Sequence, residues 1–224
     1  MKLLFISDLH LGSPLFKSKD KIIELLSGDY DMIYIIGDLL DVWEDDLASV
    51  ISDNMEIISK IHILDNVIII KGNHDPSLIE LEGVFPKKNV YYQHEFNIGD
   101  KKCLVAHGDE FDDLIRKYSW LAKFLWPINW LFERVGINLK GFFRELFYSI
   151  SAKRKKKYYN DLVLNMEEKF VDCYKGEYDY MITGHTHFPK ITEGNDFMFI
   201  NCGDWIHNKS YVEFIDGEFK LVEL

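Results

Sequence analysis

Three short apolar runs, each ending at an Asp or a Gly-Asx pair, constrain this chain more than any other feature. Lys2–Ser7 runs into Asp8, Asp31–Ile36 into Gly37-Asp38, and Asn66–Ile70 into Gly72-Asn73-His74-Asp75. Such runs are too short for core helices and suit buried strands. Between them, Lys17–Leu26 and Leu47–Ile61 carry apolar residues at helical spacing. Strand–helix–strand repetition predicts parallel strands joined by right-handed crossovers.

Further along, the strands follow one another without helices. Val90–Gln93, Phe96–Ile98 and Lys102–Ala106 are short, with Gly99-Asp100 as a turn. Tyr180–Thr183, Lys190–Glu193, Phe197–Asn201, Tyr211–Ile215 and Phe219–Val222 read as strands, with Gly194-Asn195 and Asp216-Gly217 where hairpin turns belong. Residues 111–176 differ. They lack strand-like alternation, carry Trp120, Trp126 and Trp130, and read as a helical insertion in which Pro127 breaks or starts a helix. The whole, 224 residues long, is expected to be one domain, 1–224, with that insertion.

Five segments place a metal-ligand side chain just after a predicted strand: Asp8-Leu9-His10, Gly37-Asp38-Leu39-Leu40-Asp41, Gly72-Asn73-His74-Asp75, His107-Gly108-Asp109 and Gly184-His185-Thr186-His187. Loops at the carboxyl ends of strands form the ligand crevice of open α/β sheets, so these segments are expected to converge. Each alone has a bland alternative, a turn or a hydrogen-bonded histidine; the five in order point to metal. Two divalent ions a few Å apart need carboxylate and imidazole donors, with one carboxylate bridging to offset their repulsion. The glycines allow tight turns or close backbone approach. His62 and His94 fall outside the set and read as structural or surface residues; His207 lies just after Gly203-Asp204-Trp205.

A formal net charge of -11 argues against non-specific nucleic-acid binding. Cys103, Cys173 and Cys202 form no CxxC pair, which predicts no disulfide framework and suits a reducing cytoplasm. The N-terminal apolar run is too short for a signal peptide, and no run of about 18 uncharged apolar residues predicts a membrane span.

The ordered segments resemble the calcineurin-like metallophosphoesterase superfamily over the core from Asp8 to His187. The resemblance implies a four-layer α/β sandwich, two mixed β-sheets flanked by helices, and a metal-dependent hydrolase of phosphoric esters or pyrophosphates. It implies that Asp8, His10 and His187 hold one metal, that Asn73, His107 and His185 hold another, and that Asp38 bridges both. His74 matches the histidine that contacts the phosphate and assists the leaving group; Asp41 matches a residue that orients a neighbouring ligand. The catalytic residues so implied are His74 and Asp38. Mixed nitrogen and oxygen ligands fit Mn²⁺, Fe or Zn²⁺, and the resemblance favours two Mn²⁺.

Within the superfamily, Gly37-Asp38-Leu39-Leu40-Asp41-Val42-Trp43, the aromatic insertion, the Gly184-His185-Thr186-His187 segment with Pro189, and Gly203-Asp204-Trp205 are similar to the UDP-2,3-diacylglucosamine pyrophosphohydrolase group of lipid A synthesis. There the insertion caps the site and holds acyl chains. Two positions depart: the best-studied branch has Arg where His74 stands and Glu where Asp41 stands. The resemblance thus leaves open another lipid or nucleotide diphosphate, a general phosphodiesterase or phosphomonoesterase on soluble substrates, and a scaffold that lost catalysis. The basic run Lys153-Arg154-Lys155-Lys156-Lys157 reads either as a solvated helix face or as a contact for anionic headgroups. The expected partner is a phosphate-containing, lipid-linked substrate, with peripheral membrane contact through 111–157 at the inner face and no nucleic acid.

Overall fold

The apolar runs Leu3–Ile6 (β1), Met32–Ile36 (β2) and Val67–Ile70 (β3) pair in parallel in the computed structural model, which describes residues 1–43, 45–112 and 156–224. Asn89–Tyr91 (β4) continues the parallel set beyond β3, while Ser210–Ile215 (β10) and Glu218–Glu223 (β11) add antiparallel strands on the other edge. The sheet order is β11-β10-β1-β2-β3-β4. A second mixed sheet, β5-β6-β7-β9-β8, is built from Gln93–Ile98 (β5), Lys101–Ala106 (β6), Tyr180–Thr183 (β7), Lys190–Glu193 (β8) and Met198–Asn201 (β9).

The continuous apolar runs are explained by burial on both faces. Leu4, Ile6, Ile33, Ile35, Val67 and Ile69 pack toward helix residues such as Ile22, Val50, Ile57 and Leu81. The alternating Leu3, Phe5, Tyr34, Ile36, Ile68 and Ile70 meet Val105, Ile182 and Ile200 of the second sheet. Those helices are Lys19–Leu25 (α1), Leu47–Asp53 (α2), Met55–Ile63 (α3) and Leu78–Val84 (α4). This is the expected α/β sandwich, two mixed sheets flanked by helices.

Three boundaries differ from the periodicity reading. The helix expected over Leu47–Ile61 is two helices, because Asn54 leaves helical geometry (φ -116°) and its amide donates to the Val50 carbonyl at 2.9 Å. The stretch expected as one strand over Val90–Gln93 divides: Tyr91 ends β4 in the first sheet, and Gln93 begins β5 in the second. Helix α4 was hidden by its brevity, although Ser77 and Glu80 form a reciprocal capping box at its start.

The chain divides into two compact units, 1–108 with 171–224, and 109–170. The second holds the short 3₁₀ turn Asp109–Phe111 and the described part of helix Lys156–Tyr174 (α5) up to Phe170, with Phe111 edge-on to Phe170 at 5.4 Å. The aromatic and helical readings for 113–155, with Trp120, Trp126, Trp130 and most of the basic run, lie outside the described residues. No described helix is long and apolar enough to cross a membrane.

Candidate metal centre

The parallel strands deliver their carboxyl ends to one place. Backbone bonds lace the loops together: Asp8 N–H donates to Gly37 O (3.1 Å), His10 N–H to Asp38 O (2.8 Å), Gly37 N–H to Ile70 O (2.9 Å) and Gly184 N–H to His107 O (3.2 Å). Turning side chains inward from strand ends requires unusual backbone. Asp8, His10, Asp38, His185 and His187 all lie in the left-handed region, with φ of 52°, 48°, 50°, 66° and 55°. That region is uncommon outside glycine, and such outliers cluster at functional sites. Two glycines are required by crowding: a Cβ on Gly72 would stand 2.2 Å from Asp38 Oδ1, and one on Gly184 would stand 2.3 Å from Asp8 Oδ2.

Donor atoms then fall into two groups that share Asp38. His10 Nδ1 lies 3.0 Å from Asp41 Oδ2. An ionised carboxylate only accepts, so Nδ1 carries the proton and Nε2 presents a lone pair. That Nε2 faces His187 Nε2 at 3.3 Å, Asp38 Oδ2 at 3.6 Å and Asp8 Oδ1 at 4.0 Å. Across the bridge, His107 Nδ1 donates to the Ile36 carbonyl at 3.1 Å, leaving Nε2 as an acceptor 3.2 Å from Asn73 Oδ1 and 3.4 Å from Asp38 Oδ1. The ligating atoms of Asp8, His10 and His187 lie within 4.8 Å of one another, as do those of Asp38, His107 and His185. Asp8 Oδ1, wholly buried, has no hydrogen-bond partner although His187 Nε2 is 3.1 Å away. Carboxylate oxygens and imidazole nitrogens crowded into a buried space, with Asp8 Oδ1 facing only an imidazole, suit divalent cations.

Titration behaviour follows from this crowding. Burial works to raise Asp38, but the electrostatic and hydrogen-bonding influence of His107, with His74 and His10, outweighs it and holds the carboxyl well below its ordinary range. Burial likewise opposes ionisation of Asp41, which hydrogen bonds from His10 and His74 reverse, leaving it ionised. Against burial, the Asp8 charge pushes His187 up to about 9, so in the metal-free protein a proton stands where a cation's charge is needed. Asp75 goes the other way, up to about 7, because burial and the Asp38 charge both disfavour its anion.

All seven ligands expected from the sequence are brought together, and His74 sits beside them. Its Nδ1 lies 3.0 Å from Asp41 Oδ1, its N–H donates to Asp38 Oδ1 at 2.8 Å, and its ring stacks on Trp43 at 4.2 Å. His62 and His94 are elsewhere, the first on the Val84 carbonyl, the second stacked on Tyr91. Two residues were missed. Asp75 accepts from Leu40 N–H (2.7 Å) and Gly72 N–H (2.8 Å), tying the Asp38 loop to the Asn73 loop; its place at the end of Gly72-Asn73-His74-Asp75 was the available signal. Asn201 donates to the Gly184 carbonyl at 2.8 Å and to Thr186 Oγ1 at 2.9 Å, bracing the His185–His187 loop; nothing in its neighbourhood marked it.

A model of the calcineurin-like phosphoesterase family matches residues 1–189, and the chain belongs to that family, a class of metal-dependent hydrolases. Among curated relatives it is similar to the UDP-2,3-diacylglucosamine hydrolase of Psychromonas ingrahamii, 28% identical over 239 residues that cover 99% of this chain and 97% of that one. The Shewanella halifaxensis enzyme of the same name is 25% identical, covering 100% and 98%. A solved archaeal phosphodiesterase shares the fold at a TM-score of 0.54 and 17% identity, covering 100% of both chains.

Proposed function

We propose that this protein is a two-cation hydrolase that cleaves a phosphoanhydride or phosphodiester bond, most specifically in a nucleotide-diphosphate lipid resembling UDP-2,3-diacylglucosamine. The observation that carries the reading is Asp38, whose two oxygens face two separate sets of lone-pair donors. In this reading Asp8, His10 and His187 hold one ion, Asn73, His107 and His185 the other, and Asp38 bridges. When bound, such ions lower the pKa of water and offset charge on phosphoryl oxygens; Mn²⁺ suits the mixed donor set.

The chain's own residues supply the rest. Asp41 fixes two imidazoles at once, turning His10 Nε2 toward the ions and leaving His74 Nε2 free for the substrate. Burial tends to lower His74, but its bond to Asp41 and the Asp38 charge raise it overall. An imidazolium there can donate to a phosphoryl oxygen or protonate the departing one. The whole-length similarity to UDP-2,3-diacylglucosamine hydrolases supports the lipid substrate. The insertion around 111–176, read as a cap for acyl chains, and the basic run Lys153–Lys157, read as a contact with anionic headgroups at the inner membrane face, belong to the same reading. His74 in place of Arg leaves room for another lipid or nucleotide diphosphate, and a second reading is a phosphodiesterase or phosphomonoesterase of soluble substrates.

A substrate panel separates them. Turnover of UDP-2,3-diacylglucosamine well above that of CDP-lipids, dinucleotides and bis(p-nitrophenyl) phosphate supports the first, and preference for dinucleotides supports the second. No metal-stimulated turnover of any of them sinks both and favours a scaffold. His74→Ala is expected to lower kcat by roughly 10²–10⁴ with metal content nearly unchanged, whereas Asp38→Ala loses metal.

A further inference from the structure

Gly203-Asp204-Trp205 has no part in the proposed chemistry, yet the segment it opens grips two residues of one cation group. Asp204 is fully buried. Its Oδ1 accepts from the N–H of Ile206 (2.8 Å) and of His207 (2.6 Å), and its Oδ2 accepts from the Asn208 amide. Its carbonyl accepts from Ser210 N–H at 3.1 Å, closing the turn at the start of β10. His207 serves through its backbone, its side chain being exposed. So held, Asn208 Nδ2 also donates to the His187 carbonyl at 2.8 Å. From the same segment, Trp205 N–H donates to the Asp8 carbonyl at 3.1 Å, and the Gly203 carbonyl accepts from Ser7 Oγ at 2.7 Å.

Asp8 and His187 are two of the five site residues in the left-handed region, a conformation that costs roughly 1–2 kcal/mol per residue and must be held by neighbours, and they are the two that this segment holds. Both belong to the group with His10. The other group is braced differently: His107 by the Ile36 carbonyl, the Asn73 loop by Asp75, and Gly184 before His185 by Asn201. We propose that Asn208, oriented by Asp204, is a positioning residue for the Asp8–His10–His187 cation subsite alone. The proposal rests on the two-cation reading. Outer partners of a ligating side chain are typically worth about 10–100-fold in affinity; Asn208 acts one step further out, on the His187 main chain that sets where the ring stands.

The test is titration of chelator-stripped protein with Mn²⁺, the free ion followed by electron paramagnetic resonance. Wild type is expected to show two sites, and Asn208→Ala to retain one unchanged while the other weakens about 10–100-fold. With His187→Ala already present, Asn208→Ala should add little, since both act on one subsite. Asn208→Leu, of similar size and neutral but without the N–H donor, gives the same comparison should the alanine variant not fold. Two sites of wild-type affinity in the variant, or equal weakening of both, overturn the positioning role and leave the two-cation reading standing. A wild-type protein that binds no Mn²⁺ overturns that reading and this role with it.

Discussion

Gly72 shows how little room the centre leaves at the level of single atoms. Its backbone is not in the left-handed region, so alanine there meets no conformational penalty of its own; the cost is the clash with Asp38 Oδ1 at 2.2 Å and Asp38 N at 2.4 Å. Gly72→Ala is expected to cost about 1–3 kcal/mol of stability and to abolish binding of at least one cation, as read by melting and by metal analysis of the folded variant. His187 gives a second prediction, with a definite sign. In the metal-free protein its pKa stands at about 9, above the unfolded value of 6.5, because Asp8 favours the cation against the opposing effect of burial. Its contribution to metal-free stability is therefore complete below pH 6.5 and disappears as pH rises through about 9. A metal ion needs the neutral ring, so Mn²⁺ added at pH 7.5 should expel close to one proton from this residue. Calorimetry in buffers of different ionisation enthalpy measures it, and a heat independent of buffer would contradict the assignment. The side chains that gather at the centre were legible because Asp, Asn and His at strand ends are few and chemically distinctive. Their left-handed backbone was not, since residue type alone does not reveal which way a chain turns to aim a side chain.

Among elements, those decided by local pattern were readable and those decided by tertiary placement were not. Strands β1, β2 and β3 are apolar at every position because both their faces are covered, and that leaves a plain mark. Tyr91 and Gln93 carry no mark of the change of sheet between them, because either strand could pair with either sheet until the core selects one. The hairpin from β10 to β11 was readable for a local reason: Asp216 and Gly217 both adopt positive φ, 55° and 91°, as a two-residue turn between twisted strands demands. Gly217 contrasts with Gly72, since a Cβ there would meet open space. Gly217→Ala should cost about 1 kcal/mol through backbone strain alone, visible as a lower melting temperature, with Mn²⁺ affinity unchanged. A loss of metal binding in that variant would mean that the β10–β11 edge supports the centre more directly than its contacts indicate.

For the molecule as a whole, the centre concentrates buried negative charge. Asp8, Asp38, Asp41 and Asp75 are all buried, and among the described residues histidines and backbone N–H groups oppose them. The same crowding favours a proton on His187 and raises Asp75 to about 7, while apolar contacts on both faces hold the sheets. Cations supplied to such a site bind the folded chain and have no comparable site in the unfolded one, so their affinity becomes stability. At a free concentration of 100 times Kd each independent site adds about 2.7 kcal/mol. Two sites add about 5 kcal/mol, which for a chain of this size raises the melting temperature by roughly 10–20 °C. The shift should be reversed by chelator, be reduced to about half in His185→Ala, which removes a ligand from one group only, and vanish in Asp38→Ala, which removes the residue both groups share. Differential scanning calorimetry of the three proteins, with and without Mn²⁺, measures it. An Asp38→Ala variant that keeps the full wild-type shift would show that the ions bind elsewhere, and the bridged pair would no longer account for the arrangement of these side chains.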